Sequence, residues 1–122
     1  MRDQRLAFTT AADGSATVNG ETGLNGKLYA VEYDYGNADT GADFTLTCEG
    51  YTSKPLLTIT NAGVADAWWY PRDLVHAVSD GVALTGTSGG DRACPILAGV
   101  PKLVVAQGGN VKTGALVLHY ED

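Results

Sequence analysis

Lys27-Leu28-Tyr29-Ala30-Val31-Glu32-Tyr33-Asp34-Tyr35 decides the fold. Read as an extended chain, it sets Tyr29, Val31, Tyr33 and Tyr35 on one face and Leu28, Ala30 and Glu32 on the other, the period-two pattern of a strand. Asn25-Gly26 just before it is a tight-turn signal that launches the strand, and Gly36-Asn37 ends it. Downstream, Phe44, Leu46 and Cys48 alternate with Thr45, Thr47 and Glu49, so the next strand again has one apolar face.

The same pattern recurs in both directions. Leu6, Phe8 and Thr10 alternate with polar neighbours, and Asp13-Gly14 marks a turn before Ser15-Ala16-Thr17-Val18, which reads as a first hairpin. Pro55 opens Leu56-Leu57-Thr58-Ile59-Thr60, closed by Asn61-Ala62-Gly63. Pattern returns at Pro95-Ile96-Leu97, Lys102 to Gln107 and Ala115 to Tyr120, the last two read as a closing hairpin across Gly108-Gly109-Asn110. From Pro71 to Pro95 the pattern loosens into a long excursion. Pro71 to His76 is compatible with a single helical turn, and Thr85 to Asp91 with a flexible loop tip.

Sixteen glycines in 122 residues, many threonines and few long helix formers fit strands joined by tight turns. The expectation is an all-β, antiparallel, jelly-roll-like β-sandwich of about eight short strands, in one domain spanning residues 1–122 with an excursion near 71–95. Its outer sheet edges need protection, which points to self-association or docking on something larger.

A net charge of -6, with eight Lys and Arg scattered rather than clustered, argues against nucleic-acid binding. The polar N-terminus lacks the apolar core of a signal peptide, and the aliphatic runs are too short to span a bilayer, so the expectation is synthesis in a cytoplasm with no membrane partner. Cys48 and Cys94 are expected to be reduced.

Signatures of chemistry are sparse. His76 and His119 are the two histidines, with no His-x-x-x-His or Cys-x-x-Cys spacing for a transition metal. His76, Ser79 and Asp80 lie close in sequence, but adjacency supplies neither an oriented base nor an oxyanion hole. Lys112-Thr113-Gly114 has the wrong spacing and setting for a phosphate loop. Asp39 and Asp43 suit turn chemistry better than a calcium site. Glu32 and Asp34 share a strand face, as acid–base work on a sugar would need and as solvated carboxylates commonly do. No enzyme activity, metal or cofactor is expected.

Ala67-Trp68-Trp69-Tyr70-Pro71-Arg72-Asp73 holds both tryptophans. In an extended chain Trp68 and Tyr70 project to one face and Trp69 to the other, so one set enters the core and the other packs beneath a loop or meets a second protein. Arg72 suits a cation–π or carboxylate contact at an interface, and equally a bridge within its own loop to Asp73 or Asp91. Trp68, Trp69, Tyr70 and Arg72 are the first candidate interface residues. Ser88, Asp91 and Arg92 in the neighbouring excursion are the second group.

The order Gly26-Lys27-Leu28-Tyr29-Ala30-Val31-Glu32-Tyr33, then Trp69-Tyr70-Pro71-Arg72, then His76, then Leu103 through Gly114 resembles a group of small virion proteins of tailed bacteriophages and prophages, over about residues 24–120. The resemblance implies a capsid decoration, or cement, protein on the outer surface of the major capsid protein shell. It would be located in the virion, made in the host cytoplasm and self-associated as a dimer or trimer. The alternatives are a glycan-binding module of a tail fibre or spike, and a low-copy head-completion or tail-assembly subunit.

Overall fold

The computed structural model describes residues 1–49, 55–74 and 92–121. In chain order the strands are β1 (Arg2–Thr9), β2 (Ala16–Asn19), β3 (Leu24–Tyr35), β4 (Asp43–Cys48), β5 (Leu57–Ile59), β6 (Ala67–Trp69), β7 (Asp73–Leu74), β8 (Arg92–Ala93), β9 (Ile96–Gly99), β10 (Pro101–Ala106) and β11 (Thr113–Glu121). No helix occurs among the described residues, so none there is long and apolar enough to cross a membrane.

Two antiparallel sheets pack as a β-sandwich. One runs β1-β11-β3-β6, with β9 also paired to β3, and the other runs β2-β10-β4-β5. Alternation explains why they face each other. Leu6 and Phe8 of β1, Val31 and Tyr33 of β3, and Leu116 and Leu118 of β11 point inward from the first sheet. Phe44, Leu46 and Cys48 of β4 with Leu103 and Val105 of β10 point inward from the second. An aromatic cluster joins the layers: Phe44 lies 5.6 Å from Phe8 and 5.0 Å from Tyr33, and Tyr33 stacks on Trp69 at 5.7 Å.

The two expected hairpins do not form. β1 pairs with β11 while β2 pairs with β10, and β10 and β11 belong to different sheets. Asp13-Gly14 and residues 107–112 carry the chain from one sheet to the other. Each strand has an apolar face, and stacking sequence neighbours across the core buries both faces, as pairing them edge to edge would not. The Gly108 N–H donates to the Gly14 carbonyl at 2.9 Å, and the Thr10 hydroxyl donates to the Gly109 carbonyl at 2.6 Å, so the two crossovers brace each other.

Asn25-Gly26 is likewise no turn. Both residues lie inside β3, where Gly26 at φ +113° lets the strand bend while Leu24 to Lys27 pair with β9. A bulge against β11 follows: Leu28 pairs with Tyr120 and Ala30 with His119, leaving Tyr29 over. The extra residue shifts the phase, so Leu28 joins Val31 and Tyr33 in the core, contrary to the face assigned to it by strict alternation. The helical turn at Pro71 is replaced in part by β7, which pairs with β8. These two short strands form the stem of the excursion, and His76, Ser79, Asp80, Ser88 and Asp91 fall outside the described residues.

Candidate docking site on the outer face of the five-stranded sheet

Cross-strand register builds the outer face in rows. Arg5, Val117, Glu32 and Trp68 stand side by side across β1, β11, β3 and β6, with Asp3, His119 and Ala30 in the adjoining row. Ala7, Ala115 and Asp34 form a third row on the other side. Diagonal contacts tie the rows together. Trp68 stacks on the His119 ring at 4.9 Å and 23°, His119 Nε2 lies 3.3 Å from Glu32 Oε1, and Arg5 Nη1 lies 2.7 Å from Asp34 Oδ2.

The two tryptophans therefore separate cleanly. Trp69 faces the core against Tyr33 and Phe44, whereas Trp68 is 49% exposed and the nearby Tyr70 63% exposed. A half-exposed indole whose ring already rests on an imidazole is held in one orientation, which lowers the entropy lost when a partner covers it. Glu32 and Asp34 share this face as the alternation requires, and each engages a cationic or imidazole neighbour rather than standing free.

Arg72 has an internal role. Its Nη1 donates to the Tyr29 carbonyl at 3.0 Å and to the Pro71 carbonyl at 2.6 Å. β6 covers Val31 to Tyr33 and β9 covers Leu24 to Lys27 on the same side of β3, which leaves a gap at Leu28 to Ala30. Arg72 fills that gap from one side, and the Leu28 N–H fills it from the other by donating to the Pro95 carbonyl at 2.9 Å. A bridge from Arg72 to Asp91 falls outside the described residues. Tyr29 is further held through Glu121, whose hydrogen bond and charge raise the phenol pKa. Arg92 lies in β8 at the stem, and Ser88 and Asp91 lie beyond the described residues.

The remaining candidates behave as turn chemistry. Asp43 accepts from the Asn61 N–H at 2.9 Å and from Gln107 Nε2 at 3.4 Å, and no cluster of three metal-ligating side chains occurs among the described residues. Asp13 accepts from the Ser15 hydroxyl and N–H, which lowers its pKa. Cys48 is buried and Cys94 half-buried, both as free thiols, and burial pushes the Cys48 thiol pKa up. His119 went unrecognised as a site residue. Its outward phase between Leu118 and Tyr120 was readable, but its stacking partner follows from a pairing of β3 with β6 that no local signal announces.

No family model matches this chain, and no curated protein or solved structure matches it either.

Proposed function

We propose that this protein is a non-enzymatic capsid decoration protein that docks on the outer surface of a phage major capsid protein shell through the face bearing Trp68 and Tyr70. The observation that carries the docking part is the oriented, half-exposed Trp68, stacked on His119 on a sheet face that also carries the Arg5–Asp34 ion pair. Aromatic anchors surrounded by polar groups are the usual energetic centre of an interface. The phage assignment rests on the sequence resemblance. Many copies, each bound modestly, would stabilise a shell by avidity without any turnover.

The test is addition of purified protein to undecorated phage capsids, with bound copies counted after sedimentation. Trp68→Ala is expected to weaken binding by about 30-fold, the scale of an interface hot spot. Saturable binding at hundreds of copies that depends on Trp68 supports the reading. Failure to bind capsids, or binding indifferent to Trp68, sinks it.

One observation favours a second reading. Trp68 has the Glu32 carboxylate beside it in the same row, and an aromatic ring next to a hydrogen-bond acceptor is also a platform for a sugar ring. A glycan-binding module would show saccharide-dependent quenching of Trp68 fluorescence and would sit at the phage tail rather than over the head.

A further inference from the structure

Trp68 rests on the His119 ring within the fold, and the half of its indole left in solvent is ringed by carboxylates. Glu32 is its cross-strand partner on β3, Asp34 follows two residues along that strand, and Asp66 stands just before β6, two residues ahead of Trp68. Among the described residues only Asp34 of these three meets a fixed cation, with Arg5 Nη1 2.7 Å from its Oδ2. Glu32 meets an imidazole at 3.3 Å, and Asp66 Oδ1 accepts from the Tyr35 N–H, a neutral donor, at 2.8 Å. Each of these two bonds engages one of the carboxylate's two oxygens. The other nearby cations are turned elsewhere: Arg72 donates to the Tyr29 and Pro71 carbonyls, and Lys27 stands opposite Glu121 at the far end of β11.

An indole in an acidic surround selects what can cover it. The negative face of the ring attracts a cation, and more strongly than a tyrosine or phenylalanine face does. A purely apolar side chain would bury the ring but strip water from Glu32 without replacing its hydrogen bonds, and an acidic one would be repelled. A guanidinium satisfies both demands at once, because it is planar enough to stack on the ring and its N–H groups fork toward a carboxylate. The net charge of -6 on the whole chain favours approach of such a partner from a distance.

We propose that the exposed half of Trp68 receives an arginine side chain of a partner protein, its guanidinium flat on the indole and its N–H groups directed at the Glu32 carboxylate. The inference takes the Trp68 face as the docking face, as argued above, and names the chemistry that the docked surface must present. His119 supports the indole from beneath, Glu32 supplies the charge beside it, and Asp66 adds to the negative field at the β6 edge.

The experiment is an NMR titration of the isotope-labelled full chain with the peptide acetyl-Gly-Arg-Gly-Arg-Gly-amide, against the same peptide with citrulline in place of arginine. The arginine peptide is expected to shift the Trp68 indole N–H and the Glu32 and His119 amides saturably, and the uncharged citrulline peptide to leave them in place. Glu32→Gln keeps an acceptor for His119 and removes the charge, so it should weaken binding by roughly threefold. Trp68→Phe should retain weakened binding and Trp68→Ala should lose it, with melting curves checking that each variant folds. No saturable shift with the arginine peptide, equal binding of the two peptides, or indifference to Glu32→Gln overturns the proposal, and so does a response at Trp68 to saccharide alone. The capsid sedimentation assay separates the two readings. Trp68-dependent capsid binding that Glu32→Gln leaves unchanged overturns the arginine partner and leaves the docking face standing, whereas arginine-specific peptide binding without capsid binding supports the arginine site and sinks the capsid assignment.

Discussion

Adjacent tryptophans in a three-residue strand have opposite assignments, and substitution separates them. Trp69 stacks on Tyr33 and touches Phe44 at the centre of the aromatic cluster, so Trp69→Ala should cost about 3–4 kcal/mol in denaturant unfolding. Trp68→Ala loses a ring that is half in solvent and one stacked contact with His119, and should cost about 1 kcal/mol or less. Equal losses at the two positions would overturn the division between core and outer face. Tyr33 makes a second residue-scale prediction. Its hydroxyl is buried without a hydrogen-bond partner among the described residues, and burial, aided by the nearby Tyr35 and Asp66, pushes its pKa up to about 12. The folded state thus favours the neutral phenol, a preference fully present below the ordinary value of 10.0 and lost as pH rises through about 12. Tyr33→Phe should match or exceed wild-type stability at neutral pH, since it removes an unsatisfied hydroxyl. Between those two pH values it should lose less stability than wild type, which urea titrations at several alkaline pH values would reveal.

Strand β3 is held at its outer side by three separate devices, β9, β6 and the Arg72 side chain between them. Arg72→Ala removes the donor to the Tyr29 carbonyl and should destabilise the protein by about 1–2 kcal/mol, a charged hydrogen bond's worth. The loss should be local. Hydrogen exchange is expected to quicken at the β6 amides and the Leu28 N–H while the β1–β11 ladder keeps its protection; uniform acceleration would contradict this role. The same strand shows what local sequence can and cannot encode. Alternation identified the strand, its Tyr33 core position and the outward Glu32 and Asp34, because a period of two is a property of neighbouring residues. The bend at Gly26 and the bulge at Tyr29 were hidden, because Asn-Gly signals a turn whenever no partner strand is considered and a bulge exists only relative to a partner. Arg72 was noticed for its chemistry, yet its actual acceptor is 43 residues away. The expected hairpins failed for the same reason: apolar alternation shows that a strand has a buried face and leaves open whether its neighbour lies beside it or across the core.

The molecule as a whole has two unlike outer faces, and that asymmetry predicts the sidedness of docking. Across the second sheet, Thr17, Val104, Thr45 and Thr58 stand in one row, with Asn19, Lys102 and Thr47 in the next. Threonines there satisfy the strand's preference for branched side chains while keeping the solvent face polar, so this row has a sufficient structural reason to exist. Among the described residues it offers no aromatic anchor. The first sheet's outer face carries the half-exposed Trp68 stacked on His119, and hot spots favour such an aromatic anchor. Thr45→Arg places a long charged group in the middle of the second sheet's face, where it would obstruct any flat partner. Its strand is central and its position outward, so the fold should tolerate the change with a cost of roughly 0.5 kcal/mol. On the proposed docking through the Trp68 face, capsid binding by Thr45→Arg is expected to stay within about twofold of wild type, against the far larger loss at Trp68, because rim or off-site substitutions contribute little. The opposite result, binding abolished by Thr45→Arg and preserved in Trp68→Ala, would move the docking face to the threonine-rich sheet and leave the Trp68–His119 stack as a purely structural contact.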